Sequence, residues 1–249
     1  MSAMAPHIAV VQHEDGCPLG LFDAWLRAAG ARATVCRPYA GEGLPDVTSA
    51  DGLIVLGGSM SATDDARAPW LAPVRSLLAA AVDAGRPTLG ICLGHQLLAV
   101  ACGGEVARNP AGKQTGVLPV GLGPAATTDH LFGSFDTGSP PESVQWNDDI
   151  VVRLPPNATL LAATPDGVPQ AMRVGDAAWG VQFHPEVDAA IVRAWAEEHG
   201  PPTPAQAAAL EDIAARSADT EATGRALAAG FAAIAAGRRP PVTPVIASQ

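Results

Sequence analysis

The sequence predicts an α/β fold with three layers, in which a mostly parallel central sheet is covered by helices on both faces. Two observations lead to this prediction. Strand-like and helix-like segments alternate over the first hundred residues, which is typical of a doubly wound sheet. Residues 52–56 are apolar throughout, as expected for a strand that is buried on both faces.

Local signals support each element of the first half. A strand is expected at residues 7–11, and a helix follows at residues 21–29, where apolar side chains recur at helical spacing until Gly30. The other expected strands are residues 33–36, 52–56 and 87–92, and the other helices are residues 69–84, which Gly85 ends, and 95–102. In such a sheet, functional residues gather at the carboxyl ends of the strands.

After Gly104 the pattern changes. Short β segments separated by turn residues predict a small antiparallel addition to the core sheet. The expected strands are residues 115–122, 143–147, 160–163, 170–174 and 179–183, and the expected helices are residues 187–198, 205–216 and 220–236. We therefore expect a main domain at residues 1–200 and an Ala-rich helical extension at residues 201–249 that ends in a loose Pro-rich tail.

Composition limits the classes of function. The net charge is −10 and no basic patch is visible, so neither nucleic acid nor a membrane surface is expected as a partner. The cysteines, at positions 17, 36, 92 and 102, have no C-x-x-C spacing, and no signal peptide precedes them. No apolar run approaches the ~18–20 residues of a membrane helix. These features predict a protein of the reducing cytoplasm with free thiols.

The most informative motif lies at the end of the fourth predicted strand. Gly90 and Gly94 flank Cys92 at minus two and plus two, which is the pattern of a nucleophile elbow with Cys as the nucleophile. Such a sharp strand-to-helix turn needs glycines because side chains there would collide. The turn also places the thiol over a helix N-terminus, which favours the thiolate. The alternative is a buried structural cysteine beside ordinary turn glycines.

A candidate base and its orienting group follow the last predicted strand as His184-Pro185-Glu186. Proline biases this segment towards extended geometry, in which residues i and i+2 point to the same side. Imidazole and carboxylate would then meet, as a catalytic base and its orienting group require. The alternative is a surface His-x-Glu pair after a strand.

A third candidate feature is the turn Gly57-Gly58 after the third predicted strand. A backbone without side chains can aim an N–H group at a bound substrate. The Leu93 N–H, just after the nucleophile, would supply the second donor of an oxyanion hole. The alternative is a plain turn.

In combination, these motifs resemble those of the class I (triad) glutamine amidotransferases. The match consists of Gly90-x-Cys92-x-Gly94-His95-Gln96 and, about 90 residues later, Gly-Val-Gln-Phe-His184-Pro-Glu186. It covers about residues 7–195 and is nearest to the stand-alone, GMP-synthase-like members. The resemblance implies a flavodoxin-like fold and a reaction in which Cys92 attacks the side-chain amide of glutamine. His184 would move the protons, and Glu186 would orient His184.

The resemblance also implies roles for the neighbouring residues. The N–H groups of Gly58 and Leu93 would hold the oxyanion on the way to a γ-glutamyl thioester. Gln96 matches the glutamine-contacting position of the family, and residues 145–149 match a substrate-side loop. The expected substrate-binding residues are Gly57, Gln96, Trp146, Asn147 and Asp148. Neither a cofactor nor a metal is implied.

Two positions depart from the pattern of close relatives. The relatives usually read Trp-His-x-Asp where this chain has Asn147 in place of His, and they tend to have Glu where this chain has Gln114. Asparagine cannot titrate near neutral pH as histidine can, so a role of that histidine in binding or partner signalling does not carry over. The other histidines, at positions 7, 13, 130 and 199, are interpreted as structural or surface residues.

Three functions remain open from the sequence. The chain is an amidotransferase subunit that passes ammonia to a separate synthetase, a stand-alone hydrolase of glutamine or of γ-glutamyl amides and peptides, or a non-catalytic binding module on the same fold. An ATP-binding Gly-rich motif is not visible, so an acceptor reaction is expected on another protein. The complete Cys-His-Glu set argues against the binding module.

Overall fold

The computed structural model of the protein describes residues 4–133, 135, 140–198 and 200–238. Its first half consists of β1 (His7–Val11), α1 (Leu21–Ala28), β2 (Arg32–Cys36), β3 (Gly52–Val55), α2 (Leu71–Asp83), β4 (Thr88–Ile91) and α3 (Leu93–Ala101). Its second half consists of β5 (Glu105–Arg108), β6 (Gln114–Pro119), β7 (Glu142–Asn147), β8 (Asp149–Arg153), β9 (Ala158–Ala163), β10 (Pro169–Val174), β11 (Ala178–Val181), α4 (Ala189–Glu197), α5 (Pro204–Ala215) and α6 (Ser217–Ala235). Short 3-10 helices lie at Pro38–Ala40 and Pro124–Thr128.

Seven strands form the central sheet in the order β2-β1-β3-β4-β11-β10-β9. The first five of these strands run parallel to one another, whereas β10 runs antiparallel to both β11 and β9. The parallel strands all end at the same edge of the sheet, so the segments that follow β1, β3, β4 and β11 meet there. The mostly parallel α/β class predicted from the sequence is confirmed.

The residues of β1 show how the two faces of the sheet are covered. Ile8 and Val10 belong to an apolar cluster with α1 and α6, whereas Ala9 and Val11 belong to a second cluster with α2 and α3. Alternation along a strand sends successive side chains to opposite faces. Each face is therefore packed against helices, which gives the three predicted layers.

The second half of the chain differs from the antiparallel meander that the sequence predicts. Only β9 and β10 form an antiparallel extension of the core sheet; β5 pairs with β8, and β6 with β7, in two separate two-stranded sheets. Strands β5 and β8 were not predicted. Strand β11 was predicted as part of the antiparallel addition, but it is a fully buried strand that lies parallel to β4. A strand with helices over both faces is apolar throughout, and the sequence Ala-Trp-Gly-Val satisfies that requirement.

Helix α6 contributes directly to the core. Leu227 and Phe231 are fully buried in the same cluster as Ile8 and Val10. Gly224 of α6 lies so close to the segment after β11 that an added Cβ would be 2.1 Å from the carbonyl oxygen of Pro185. The boundary expected at residue 200 stays a prediction. His199 and the expected tail beyond Arg238 lie outside the described residues.

None of the helices in the described part of the chain combines the length and the hydropathy that crossing a lipid bilayer demands.

Candidate active site

The backbone at Cys92 adopts the conformation of an elbow. Cys92 has φ 50° and ψ −104°, and it is the one non-glycine residue with positive φ among those that the structure describes. Its N–H donates to the carbonyl of Val181 at 2.8 Å, and its carbonyl accepts from the N–H of Gln96 at 3.0 Å. A non-glycine residue persists in such a strained conformation only where its surroundings fix it, and such residues cluster at functional sites.

The two flanking glycines are required by close backbone contacts. An added Cβ on Gly90 would lie 2.4 Å from the carbonyl oxygen of Gly94. An added Cβ on Gly94 would lie 2.0 Å from the carbonyl oxygen of Val55, at the end of β3. Side chains at these two positions would therefore collide with backbone carbonyls, one of which lies on the neighbouring strand β3. Helix α3 also begins at Leu93, two residues earlier than expected, because the chain is helical directly after the elbow.

His184 and Glu186 lie together beside Cys92. The Nδ1 atom of His184 is 2.8 Å from Oε1 of Glu186, and both side chains are buried. Backbone bonds hold both residues: the His184 N–H donates to Val144, and the Leu21 N–H donates to the carbonyl of Glu186, each at 2.8 Å. The His184 ring also makes hydrogen-bonding contact with the Cys92 side chain. Cys92 and Glu186, two of the three residues predicted as a catalytic set, thus both contact the third, His184.

The charge environment of His184 favours its protonated form. Burial alone would lower the pKa of this imidazole, but the negative charges of Glu186 and of the Cys92 sulfur outweigh burial and raise the pKa of His184 to about 10. A protonated imidazole next to a cysteine sulfur is the arrangement in which a thiolate is stabilised.

Trp195 covers the outer side of the imidazole and was missed by the sequence analysis. The ring centroids of His184 and Trp195 are 4.7 Å apart, with the planes tilted by 58°. The indole Nε1 donates to the carbonyl of Gly16 at 2.6 Å, which ties α4 to the loop after β1. Nothing in the local sequence of an amphipathic helix distinguishes such a contact from ordinary core packing.

The Gly57-Gly58 turn faces the elbow. An added Cβ on Gly57 would lie 3.0 Å from Cε1 of His184 and 3.7 Å from Cβ of Cys92. An added Cβ on Gly58 would lie 2.9 Å from Cδ2 of Leu93. The Leu93 N–H is the first in α3 and has no acceptor inside the helix. The two residues predicted for the oxyanion hole therefore lie next to each other at the nucleophile.

A cavity of about 580 Å³ opens over Cys92. Among the residues that line it are Gly58, Cys92, Gln96, Trp146, Asn147, Asp148 and His184. Asp148 lies 3.1 Å from a guanidinium nitrogen of Arg108 and 3.7 Å from the Lys113 ammonium, which also lies 5.0 Å from the centre of the Trp146 ring. Residues 145–149 are not the loop that was expected, because β7 ends at Asn147 and β8 begins at Asp149. Cross-strand pairing thus holds this side of the cavity.

The two departures from the family pattern contact each other. The Nδ2 atom of Asn147 donates to Oε1 of Gln114 at 3.1 Å and to the carbonyl of Asp149, also at 3.1 Å. The pair consists of two uncharged amides on the paired strands β6 and β7. Neither amide titrates near neutral pH, so this contact is independent of pH in that range.

The loop after β1 supplies a group that the sequence analysis did not single out. The Glu14 carboxylate accepts from the N–H and the hydroxyl of Ser59, each at 2.8 Å, and from the thiol of Cys17 at 3.2 Å. Burial, followed by the charge of Glu14, raises the pKa of Cys17, so this thiol stays protonated. Glu14 thereby fixes the backbone directly after Gly58.

The described residues contain no cluster of three or more His, Cys, Asp or Glu side chains that could hold a metal ion.

Two buried histidines near the site predict acid sensitivity. Burial lowers the pKa of His13 and of His95 from 6.5 to about 4. As the pH falls, the unfolded chain binds protons at these rings at a higher pH than the folded protein does. The contribution of the two neutral rings to the free energy of unfolding is therefore fully present above about pH 6.5 and is lost as the pH falls towards 4. Each ring accounts for about 3 kcal/mol of this loss. Urea unfolding at pH 7 and pH 4.5 should show a loss about 2–3 kcal/mol smaller in His13→Asn than in the wild type. An equal loss in both proteins would contradict the assignment.

Comparisons with known proteins agree on the family. The model of the glutamine amidotransferase class-I family matches residues 24–191. The chain is 37% identical over 149 residues to a glutamine-hydrolyzing GMP synthase of Aeropyrum pernix, in a match that covers 59% of this chain and 26% of that protein. This chain therefore corresponds to about a quarter of that relative's length.

Two further relatives match larger shares of their own length. The glutamine amidotransferase-like protein YfeJ of Salmonella typhimurium is 34% identical over 181 residues, which cover 71% of this chain and 74% of that protein. Gamma-glutamyl peptidase 3 of Arabidopsis thaliana is 28% identical over 150 residues, which cover 59% of each chain.

The fold agrees with that of a solved structure. A glutamine amidotransferase from Thermotoga maritima superposes with a TM-score of 0.81 at 23% identity, over 93% of this chain and 98% of that one. The matched family model spans the elbow, the His-Pro-Glu segment and most of the central sheet. The chain belongs to the class I glutamine amidotransferases.

Proposed function

We propose that the protein is a glutamine amidotransferase that hydrolyses the side-chain amide of glutamine through a γ-glutamyl thioester on Cys92. The observation that supports this most strongly is the strained elbow at Cys92, which faces the buried His184–Glu186 pair. A nucleophile, a base within contact and a third group that orients the base form the arrangement that acyl transfer needs.

In the acylation step, the sulfur of Cys92 attacks the carboxamide carbon and a C–S bond forms. His184, which already holds the thiol proton as an imidazolium beside the thiolate, delivers it to the departing nitrogen, so the C–N bond breaks and ammonia leaves. In the second step, His184 accepts a proton from water, and the resulting hydroxide attacks the thioester carbon. The C–S bond breaks, glutamate leaves, and His184 returns the proton to the sulfur. The elements of one water molecule are consumed for each ammonia released.

The N–H groups of Gly58 and Leu93 stabilise the oxyanion that develops in both steps. Glu14 supports this arrangement because its bonds to Ser59 fix the turn that carries Gly58. Gln96, Trp146, Asn147 and Asp148 line the substrate side of the same cavity, and Gly57 borders Cys92 and His184. Since the cavity is lined by both acidic and basic groups, it suits an amino acid that carries both charges.

The ammonia passes to an acceptor enzyme on a separate chain, and the protein works in the reducing cytoplasm. Support for the partner comes from the relationship to the Aeropyrum GMP synthase, of which this chain matches about a quarter. Support for the compartment comes from the cysteines, which are all free: Cys17, Cys36, Cys92 and Cys102.

A second candidate is a stand-alone hydrolase of γ-glutamyl amides or peptides. The cavity of about 580 Å³ lies within the range of about 300–1,000 Å³ that is typical of drug-sized ligands, so its volume is compatible with a γ-glutamyl peptide as well as with glutamine. The similarity to gamma-glutamyl peptidase 3 points the same way. The chemistry at Cys92 is the same for both candidates, and only the leaving group differs.

A substrate panel tests the proposal and separates the two candidates. Purified protein is incubated with glutamine, γ-glutamyl peptides and asparagine, with and without cell extract. We expect equal amounts of ammonia and glutamate from glutamine, no release from asparagine, and stimulation by extract. A kcat/KM higher for γ-glutamyl peptides than for glutamine would establish the second candidate. Absence of release from every γ-glutamyl substrate would contradict both.

A further inference from the structure

The side chain of Gln182 lies directly against the nucleophile. It is fully buried, and its Nε2 atom is 3.6 Å from the Sγ atom of Cys92. Gln182 directly follows β11 and precedes His184 by two residues. The nucleophile thus meets an imidazole and an amide from one stretch of chain.

The orientation of this amide follows from hydrogen-bond chemistry alone. The carbonyl oxygen of Asp149 can only accept, so the group of Gln96 that lies 2.9 Å from it is the amide NH₂. The same NH₂ lies 3.3 Å from the Gln182 side chain and therefore meets its oxygen. The other end of the Gln182 amide, its Nε2, is then the atom that faces Cys92, so the hydrogen bonds themselves assign the oxygen and the nitrogen of this amide. A backbone carbonyl on β8 thereby fixes a donor at the sulfur.

We propose that Gln182 is a positioning residue for Cys92, whose Nε2–H donates to the sulfur and favours the thiolate. This inference rests on the proposed function, in which Cys92 is the nucleophile. A hydrogen bond to the charged form of a group favours that form. The same bond also stabilises the sulfur when the C–S bond breaks in the second step. Gln96 supports it by holding the amide of Gln182 in place.

Ordinary packing does not account for an amide at this position. The backbone N–H of Gln182 donates to the carbonyl of Gln170 at 2.9 Å, so the side chain of Gln182 takes no part in pairing with β10. A buried amide is less favourable than an apolar side chain of equal size unless its bonds are made. Within the described part of the chain, the acceptor that faces the Gln182 Nε2 atom is the sulfur of Cys92.

The titratable groups around Cys92 set the background for a pH experiment. His184 and Glu186 face it from the segment after β11, and Cys17 with Glu14 faces it from the loop after β1. The amide of Gln182 is the uncharged member of this set. Its removal therefore changes the sulfur's environment without adding or deleting a titrating side chain.

The test is the pH dependence of alkylation of Cys92 by iodoacetamide, followed by mass spectrometry of the Cys92 peptide. In Gln182→Met we expect the midpoint of the alkylation profile to rise by about one pH unit, so that the rate at pH values below the wild-type midpoint falls about tenfold. Gln96→Met leaves Gln182 beside the sulfur but removes the hydrogen bond that holds the Gln182 amide, so the midpoint should rise by a smaller amount. Gln170→Met removes a buried amide from the adjacent strand and should leave the midpoint unchanged.

The outcomes separate this inference from the proposed function. A wild-type midpoint in Gln182→Met and Gln96→Met would overturn the role of Gln182 while glutamine hydrolysis by the wild type stands. If Gln182→Met does not fold, as thermal unfolding would reveal, Gln96→Met decides the matter. A wild-type protein whose Cys92 resists alkylation throughout the pH range would overturn the nucleophile itself, and this inference with it.

Discussion

Cys92→Ala is expected to lose glutamine hydrolysis, with kcat reduced at least about 10⁴-fold at unchanged folding. Without the sulfur no thioester forms, and only oxyanion stabilisation and substrate positioning remain. In enzymes that use a nucleophile and a base, these two effects together supply only a small part of the rate enhancement. Ammonia release from saturating glutamine, measured by a coupled assay, checks the result. Because alanine removes one atom from a site that is already buried, we expect thermal unfolding close to that of the wild type.

Cys102→Ala is the matched control. Cys102 follows the last residue of α3, so the variant deletes a thiol at the opposite end of the same helix. Its activity should stay near the wild-type value. Persistent hydrolysis in Cys92→Ala, or a comparable loss in Cys102→Ala, would show that the nucleophile lies elsewhere.

Glu186→Gln is expected to lower kcat about 10³-fold, with little change in KM. The carboxylate is the largest contribution that raises the pKa of His184, and burial opposes it. With a neutral amide in its place, we expect the pKa of His184 to fall, so the imidazolium is no longer the form present at neutral pH. An amide also leaves the ring tautomer and orientation less well defined.

The pH dependence of kcat distinguishes this effect from a general loss of packing. The profile of Glu186→Gln should shift towards lower pH, in the direction of the lowered His184 pKa. Glu197→Gln, at the exposed end of α4, provides the control and should retain the wild-type rate and profile. A Glu186→Gln variant with wild-type kcat would remove the carboxylate from the mechanism.

Much of the candidate site follows from the sequence because its parts depend on local backbone chemistry. The elbow needs Gly90 and Gly94, and the structure places backbone carbonyls where side chains would stand. The contact between His184 and Glu186 is present as predicted, but residues 185–186 form a turn and not the extended segment that was expected. Gln182 stands in the same motif, but its contact with Cys92 depends on the way the chain bends after β11.

Other features depend on contacts between distant segments and leave no local pattern. Trp195 reaches His184 from α4, and Glu14 reaches Ser59 across 45 residues of chain. The pairing of β5 with β8 joins two strands that were not predicted, because Glu105–Arg108 is short and mostly exposed. Strand β11 lies between β4 and β10 and is buried on both faces, a placement that depends on its pairing with distant strands.

The central claim, that Cys92 carries the γ-glutamyl group, is tested most directly by trapping the acyl-enzyme. Protein mixed with glutamine is quenched in acid within milliseconds to seconds, digested, and analysed by mass spectrometry. The account predicts a peptide that contains Cys92 with its mass increased by one γ-glutamyl group. No such peptide is expected from Cys92→Ala, or from Glu186→Gln when that slow variant is quenched before its first turnover. Ammonia release accompanied by the adduct on Cys17 or Cys102, or by no cysteine adduct at any quench time, would contradict it.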